Sequence, residues 1–288
     1  MLVHELLKNA EKRLVAAGVD QGRLEAELLL QACLDVSRAR LFLLSEVDLT
    51  AAVEQQFDVM LSRRCKREPV QYIVGNCEFW SLDFAVCQSV LIPRPETEFL
   101  LEHAFSVLAD ESLKDTPSFL DLCTGSGVIG IVLALEYRKA KVIAVDISMD
   151  ALSVALLNRS SHSLTDRIDF LCADLMTAFS KHCYFDVIVS NPPYVVGGDI
   201  AELDPEVRDW EPELALNGGE EGLDYVKNIC LQAAEHLNPG GWLFMEIGSD
   251  IALQVRSVFD TSQQYDRVRI ISDYARRPRV LQARLLKE

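Results

Sequence analysis

Between residues 118 and 190 four short apolar runs, SFLDL, KVIAVDI, RIDFL and FDVIVS, follow one another, and the first three are separated by GVIGIVLALEY and MDALSVALLNR, patterned at three- and four-residue spacing. Strands that are apolar on both faces need cover on both faces, and helices between successive strands give parallel crossovers. This alternation constrains the chain more than any other feature, because it requires an α/β fold: a parallel sheet with helices on both sides. Helices are also expected over FLLEHAFSVLA, opened by LIPRPETE, over LDYVKNICLQAAEHL and near IALQVRSVF. GGWLFMEIG, VRIISD and RVLQARLL read as late strands, with room for one antiparallel member.

The first 70 or so residues follow a different pattern. VHELLKNAEKRLVAAG, RLEAELLLQACL and AAVEQQFDVMLSRRC each repeat apolar residues at helical spacing, the first stopping at Gly18 and the last starting after Thr50 as an N-cap. REPVQYIVGNCEFWSLDFAVC then switches to β-rich alternation broken by Pro69 and Gly75, and reads as a hairpin or linker. The expected organisation is a small helical domain over 1–75, a β-hairpin linker over 76–92 and the α/β domain over 93–288.

Several function classes are disfavoured. With 28 Lys+Arg against 44 Asp+Glu the chain carries a formal charge of −16, which opposes a broad phosphate-binding face and suits a basic protein partner better than nucleic acid. No apolar run approaches the roughly 20 residues of a membrane span, and the amino terminus lacks a signal-peptide core, so a cytoplasmic location is expected. The eight cysteines are scattered without a C-x-x-C pair or histidines at ligand spacing. Neither disulfides nor a metal site is expected, and most of the thiols are read as small buried hydrophobes.

The chemistry sits at four strand ends. DLCTGSG, Asp121–Gly127, joins a strand to a helix, where open α/β sheets bind ligands; Gly125 and Gly127 admit close backbone approach, and the next helix aims its free N–H groups there. Asp146 ends the second strand, about 20 residues on, where a carboxylate takes ribose hydroxyls, and Asp174 follows the third, where a polar group can meet an adenine edge. Either aspartate alone could equally cap a helix or a turn. The loop lacks the lysine of a triphosphate site, so an adenosyl ligand without pyrophosphate fits better. The fourth strand ends in SNPPYVV, a stiff turn. A planar NH₂ group is a poor nucleophile that must be held in line with its electrophile. Asn191 through its side-chain oxygen and Pro192 through its carbonyl could each accept one N–H while Tyr194 packs on the flat face. The two motifs together point to methyl transfer from S-adenosylmethionine.

The chain resembles the protein-(glutamine) methyltransferases that modify class-1 peptide chain release factors, the HemK/PrmC type. The likeness runs nearly end to end, through REPVQYIVGNCEFWSLDF, VLIPRPETEFLLE, DLCTGSGVIG, NPPYVV and EPELALNGGEEGLDY. NPPY is shared with enzymes that methylate adenine or guanine amino groups; PVQYIVG and IPRPETE are more specific. The resemblance implies a Rossmann-like class I methyltransferase domain whose substrate is the glutamine of a release factor's GGQ loop, and a monomer is expected. It implies that Cys123, Thr124, Gly125, Ser126, Gly127 and Asp146 contact the methyl donor, and that Leu175 lies beside the adenine. Asn191, Pro192, Pro193 and Tyr194 would hold the glutamine, flanked by Pro95, Glu96 and Thr97, for which a plain helix start is an equal reading. The family usually has glycine where Cys123 stands and often an aromatic where Leu175 stands. Cys123 is expected to weaken donor affinity or make the site sensitive to oxidation. The competing readings are a nucleic-acid adenine/guanine amino-group methyltransferase acting on a flipped base, and a non-catalytic protein that kept the fold.

Overall fold

The computed structural model describes residues 1–287. Five helices open the chain: α1 (Val3–Ala16), α2 (Gly22–Leu34), α3 (Arg38–Leu43), α4 (Ala51–Arg64) and α5 (Val70–Val74). A hairpin follows, β1 (Asn76–Phe79) and β2 (Leu82–Ala85), and then α6 (Pro95–Ala109), β3 (Ser118–Leu122), α7 (Val128–Glu136), β4 (Lys141–Asp146) and α8 (Met149–Ser161). β5 (Ile168–Cys172), β6 (Phe185–Ser190), the one-turn α9 (Pro205–Arg208), α10 (Asp224–His236), β7 (Leu237–Glu246), α11 (Ala252–Ser262), β8 (Tyr265–Ser272) and β9 (Pro278–Leu285) complete it. By their internal contacts the residues form two compact units: Met1–Asn76 with Asp204–Trp210, and Cys77–Leu203 with Glu211 onward.

The first unit is built on one apolar cluster that includes Leu7, Leu14, Leu29, Phe57 and Leu61. Thr50 caps α4, its hydroxyl accepting from the Val53 N–H. Val70–Val74, expected to be extended, is instead a short helix. It starts directly after Pro69 and stops at Gly75, whose φ of +86° closes the turn, and it buries Val70, Tyr72 and Ile73. The segment carrying α9 joins this unit through charge. Buried Arg64 donates to both Glu25 and Glu206, and Arg67 donates to Glu206 as well.

The second unit is a seven-stranded sheet in the order β5-β4-β3-β6-β7-β9-β8. β3, β4, β5, β6 and β7 pair parallel, and β9 runs antiparallel to both of its neighbours. Neighbouring residues of one strand serve opposite faces. Phe119, Val187 and Val189 pack with α6, α7 and the hairpin's Phe79 and Phe84, whereas Leu120 and Ile188 pack with α10 and α11. All six residues of β6 are buried, as a strand covered on both faces requires. The hairpin turns on Trp80 and Ser81, both at positive φ (+56° and +57°), the backbone of a two-residue turn matched to strand twist.

The cysteines depart from expectation. Cys230 alone is buried, Cys87 and Cys172 are exposed and the rest are half-buried, because most of them sit at element ends and loops rather than on core faces. None of the described helices is long and apolar enough to cross a membrane.

Candidate active site

Register places the site. Leu122 pairs with Val145 and with Ser190, and Asp146 pairs with Cys172, so β3, β4, β5 and β6 end along one edge of the sheet. The chain crosses from β3 to β4 on one side and reaches β6 on the other, and ligands bind in the crevice at such a reversal. A cavity opens there, enclosing ≈ 940 Å³ when the solvent at its mouth is counted, at the place where open α/β sheets take small ligands.

The loop after β3 forms one wall. Cys123 (φ +60°), Gly125 (φ +55°) and Gly127 (φ +86°) all adopt left-handed backbone. A side chain at Gly125 would meet open space, so glycine serves the backbone conformation there and leaves the loop's face clear toward the cavity. At Gly127 an added Cβ would lie 3.1 Å from Ala155 Cβ, so close packing on α8 demands glycine as well. Asp121, with no exposed surface, ties the loop from beneath: its Oδ2 accepts from Thr124 Oγ1 at 2.5 Å and from the Gly130 N–H at 2.9 Å. Burial pushes its carboxyl up to about 7 against those two donors.

Asp146 caps the arrangement at the end of β4. Its Oδ2 accepts the Gly125 N–H at 2.8 Å and its Oδ1 the Ser148 N–H at 2.9 Å, so backbone donors fix its orientation at the strand end. Burial raises its pKa, and the backbone donors of Ser148, Gly125 and Ile147 oppose the rise. Asp174 and Leu175 (φ +47°) line the cavity after β5. So does Tyr225, at the start of α10, which brings an aromatic ring to a wall where Leu175 supplies none.

The residues after β6 form the opposite side. Asn191 and Pro193 line the cavity; Pro192 is buried and Tyr194 is partly buried, and neither of these is among the lining residues. The Asn191 Nδ2 donates to Thr97 Oγ1 at 3.1 Å, Thr97 Oγ1 donates to Glu246 Oε2 at 2.7 Å, and the Tyr194 hydroxyl donates to Glu246 Oε1 at 3.0 Å. Burial raises the Tyr194 phenol, helped by the adjacent Glu246 carboxylate, and burial also raises Glu246 itself against the Thr97 and Tyr194 donors.

The structure therefore brings together in one cavity Thr97, Cys123, Thr124, Gly125, Ser126, Asp146, Asp174, Leu175, Asn191 and Pro193 of the residues singled out by sequence. Pro95 and Glu96 stand outside it, at the first positions of α6, and Gly127 lies behind the loop. Cys123, expected to make the site sensitive to oxidation, lines the cavity half-buried. Burial, with Asp146 and Asp121 nearby, pushes its thiol pKa up.

Sequence reasoning missed Glu246, Tyr225, Asn158 and Glu211. Buried Asn158 bonds both polar groups of Ala85 on the hairpin and donates to the Ser126 carbonyl at 2.8 Å. Buried Glu211 accepts from Arg94 and from the Ile92 N–H. Asn158, Tyr225 and Glu246 are polar residues in otherwise ordinary elements and Glu211 lies in the loop after α9; GGWLFMEIG offers one signal, since Glu246 is the only charge in a strand that is otherwise apolar after Gly241.

Comparison with known proteins gives the family and the fold. The PrmC N-terminal domain family matches residues 5–75 and the methyltransferase small domain family matches residues 97–203. A release factor glutamine methyltransferase of Koribacter versatilis is 41% identical over 99% of each chain. Another, of Chlorobaculum tepidum, is 41% identical over 94% of this chain and 93% of its own. Among solved structures, the human Mettl16 catalytic domain in complex with the MAT2A 3′UTR hairpin 6 superposes with a TM-score of 0.58 at 16% identity, covering 80% of this chain and 82% of that one, a likeness of fold.

Proposed function

Because this chain belongs to the release factor glutamine methyltransferases, we propose that its cavity holds S-adenosylmethionine along the 123–127 loop and Asp146 and receives a substrate glutamine at Asn191. The chain is an S-adenosylmethionine-dependent protein-glutamine N-methyltransferase of release factors. Bound S-adenosylmethionine supplies a methyl group on a positively charged sulfur, open to attack from the side opposite that sulfur. The oriented Asp146 carboxylate suits the hydroxyls of a ribose, and the α7 N-terminus with the loop N–H groups suits the polar tail of the donor. Asp174, Leu175 and Tyr225 border the adenine end.

Asn191 Oδ1 and the Pro192 carbonyl each accept one N–H of the glutamine amide. Held so, the nitrogen cannot rotate, and its remaining lobe points into the donor side of the cavity. Methylation leaves a cationic nitrogen acidic enough to release its proton to water, so no carboxylate or histidine at the nitrogen is required. The carrying observation is that Asn191 shares one cavity wall system with Gly125 and Asp146 while its Nδ2 is already engaged by Thr97. The acceptor we assign is the glutamine of the GGQ loop in class-1 release factors, recognised as whole proteins by residues 1–75, with the chain acting as a cytoplasmic monomer.

Incubation with methyl-labelled donor and either an intact release factor or RNA tests the substrate class. Label on a glutamine of the factor and none in RNA is expected; the reverse would overturn the assignment. A chain lacking residues 1–75 is expected to bind donor and to fail on the intact factor. Full-rate methylation by that chain would refute the recognition role.

A further inference from the structure

Glu246 ends β7 and is 1% exposed, yet it does not line the cavity. A buried carboxylate is costly unless its oxygens are satisfied, and here each is met by one hydroxyl, Thr97 on Oε2 and Tyr194 on Oε1. The charged groups acting on it are Arg279 of β9, which favours the ionised form, and Glu96 of α6, which opposes it. In its ionised form, which Arg279 favours, the carboxylate can only accept, so both hydroxyls donate to it. The single proton of Thr97 is thereby committed. Its oxygen can only accept from its other neighbour, and that neighbour is Asn191 Nδ2. The two ends of an asparagine amide are nearly equal in size and are told apart by their hydrogen-bond partners.

We infer that Glu246 is a positioning residue that fixes, through Thr97, which end of the Asn191 amide faces the substrate. The inference rests on the proposed presentation of a glutamine NH₂ group at Asn191. With Nδ2 held by Thr97, Oδ1 is the end left for the substrate's N–H. With the amide reversed, an NH₂ group would face the substrate's own NH₂ group, donor against donor, and the nitrogen would lose one of its two anchors. The same carboxylate holds the Tyr194 hydroxyl, so a single buried group orients both ends of the NPPY turn.

Glu246→Gln breaks the device at nearly constant volume, because a glutamine amide presents a donor to one of the two hydroxyls and admits the reversed chain. Thr97→Val removes the connecting hydroxyl at nearly constant shape, and Thr97→Ser restores it. Turnover on a release factor and the affinity for S-adenosylmethionine are measured for each variant, with thermal unfolding as a check that the protein is folded. Glu246→Gln and Thr97→Val are each expected to lower kcat about 10-fold with donor affinity within about two-fold, and Thr97→Ser to stay near the wild-type rate. In an Asn191→Ala background Thr97→Val is expected to cause no further loss, since that hydroxyl acts through the Asn191 side chain. Wild-type kcat in folded Glu246→Gln and Thr97→Val, or a full multiplicative loss in the double variant, would overturn the relay. Near-normal turnover in Asn191→Ala alone would instead overturn the amide-presentation reading on which the relay rests.

Discussion

The two sides of the cavity are held by different means. On the side of the 123–127 loop, the proposed donor side, the supports are local and largely backbone: Asp146 accepts N–H groups 21 residues and 2 residues away, and Asp121 accepts from groups 3 and 9 residues ahead of it. On the Asn191 side, the proposed acceptor side, they are side chains distant in sequence: Asn191 meets Thr97 across 94 positions, Thr97 meets Glu246 across 149, and Tyr194 meets Glu246 across 52. A loop built from its own neighbours can bind a ligand with little help from the rest of the fold. An amide that must be aimed at a reacting nitrogen needs constraints from several elements at once. The donor side should therefore govern affinity, and the acceptor side turnover.

Substitutions that move the wrong quantity would break this division. Asn191→Ala is expected to cut kcat by about 100-fold or more, the scale for losing a positioning contact, with donor affinity within a few-fold. Calorimetry with single-turnover kinetics checks both, and a large loss of donor affinity would erase the distinction. Asp146→Ala should do the opposite, weakening donor binding by about 10–100-fold, the equivalent of hydrogen bonds to a charged group, with a smaller change in the rate at saturating donor.

Two smaller effects sharpen the picture of the donor loop. Asp121 titrates near 7 in the folded state against 3.8 as its ordinary value. Between these pH values the unfolded chain has lost the proton that the folded one keeps, so this group lowers stability as pH rises from about 4 to about 7, and the loss is complete above that. Asp121→Asn should remove this component, changing the slope of unfolding free energy by at most about 1.4 kcal/mol per pH unit in that window. Denaturant unfolding across the window measures it, and parallel curves for the two proteins would contradict it. Cys123→Gly should be the mildest change. Its φ of +60° suits glycine, so donor affinity is expected to hold or tighten and stability to change by less than about 1 kcal/mol. A marked loss of affinity by calorimetry would mean that the thiol makes a contact glycine cannot replace.

The same contrast explains what could be read in the sequence. The strands and helices of the sheet were legible because continuous apolar runs and helical spacing are local signals; SFLDL and MDALSVALLNR fall where β3 and α8 are found. The antiparallel β9 needed only the change of pattern near the end of the chain. The turn in DLCTGSG was legible for the same reason, its glycines following directly on a strand end. Val70–Val74 was misread because five residues are too few to show a period, and capping by Pro69 and Gly75 decided the outcome. Glu246 was invisible because its role depends on Thr97 and Tyr194, which only the folded sheet brings within reach. Nothing in residues 204–210 announces that Glu206 pairs with Arg64 and Arg67.

The central claim, that Asn191 and Pro192 present a glutamine amide nitrogen to the methyl group, is tested most directly by the substrate atom itself. A release factor with glutamine in its GGQ loop, and the same factor with that glutamine replaced by glutamate, are incubated with enzyme and donor, and the loop peptide is fragmented in a mass spectrometer. One added methyl on the side-chain nitrogen of the glutamine, with no modification of the glutamate form, is the predicted result. Methylation of the glutamate form, or a methyl placed on any other residue of the loop, would contradict the account.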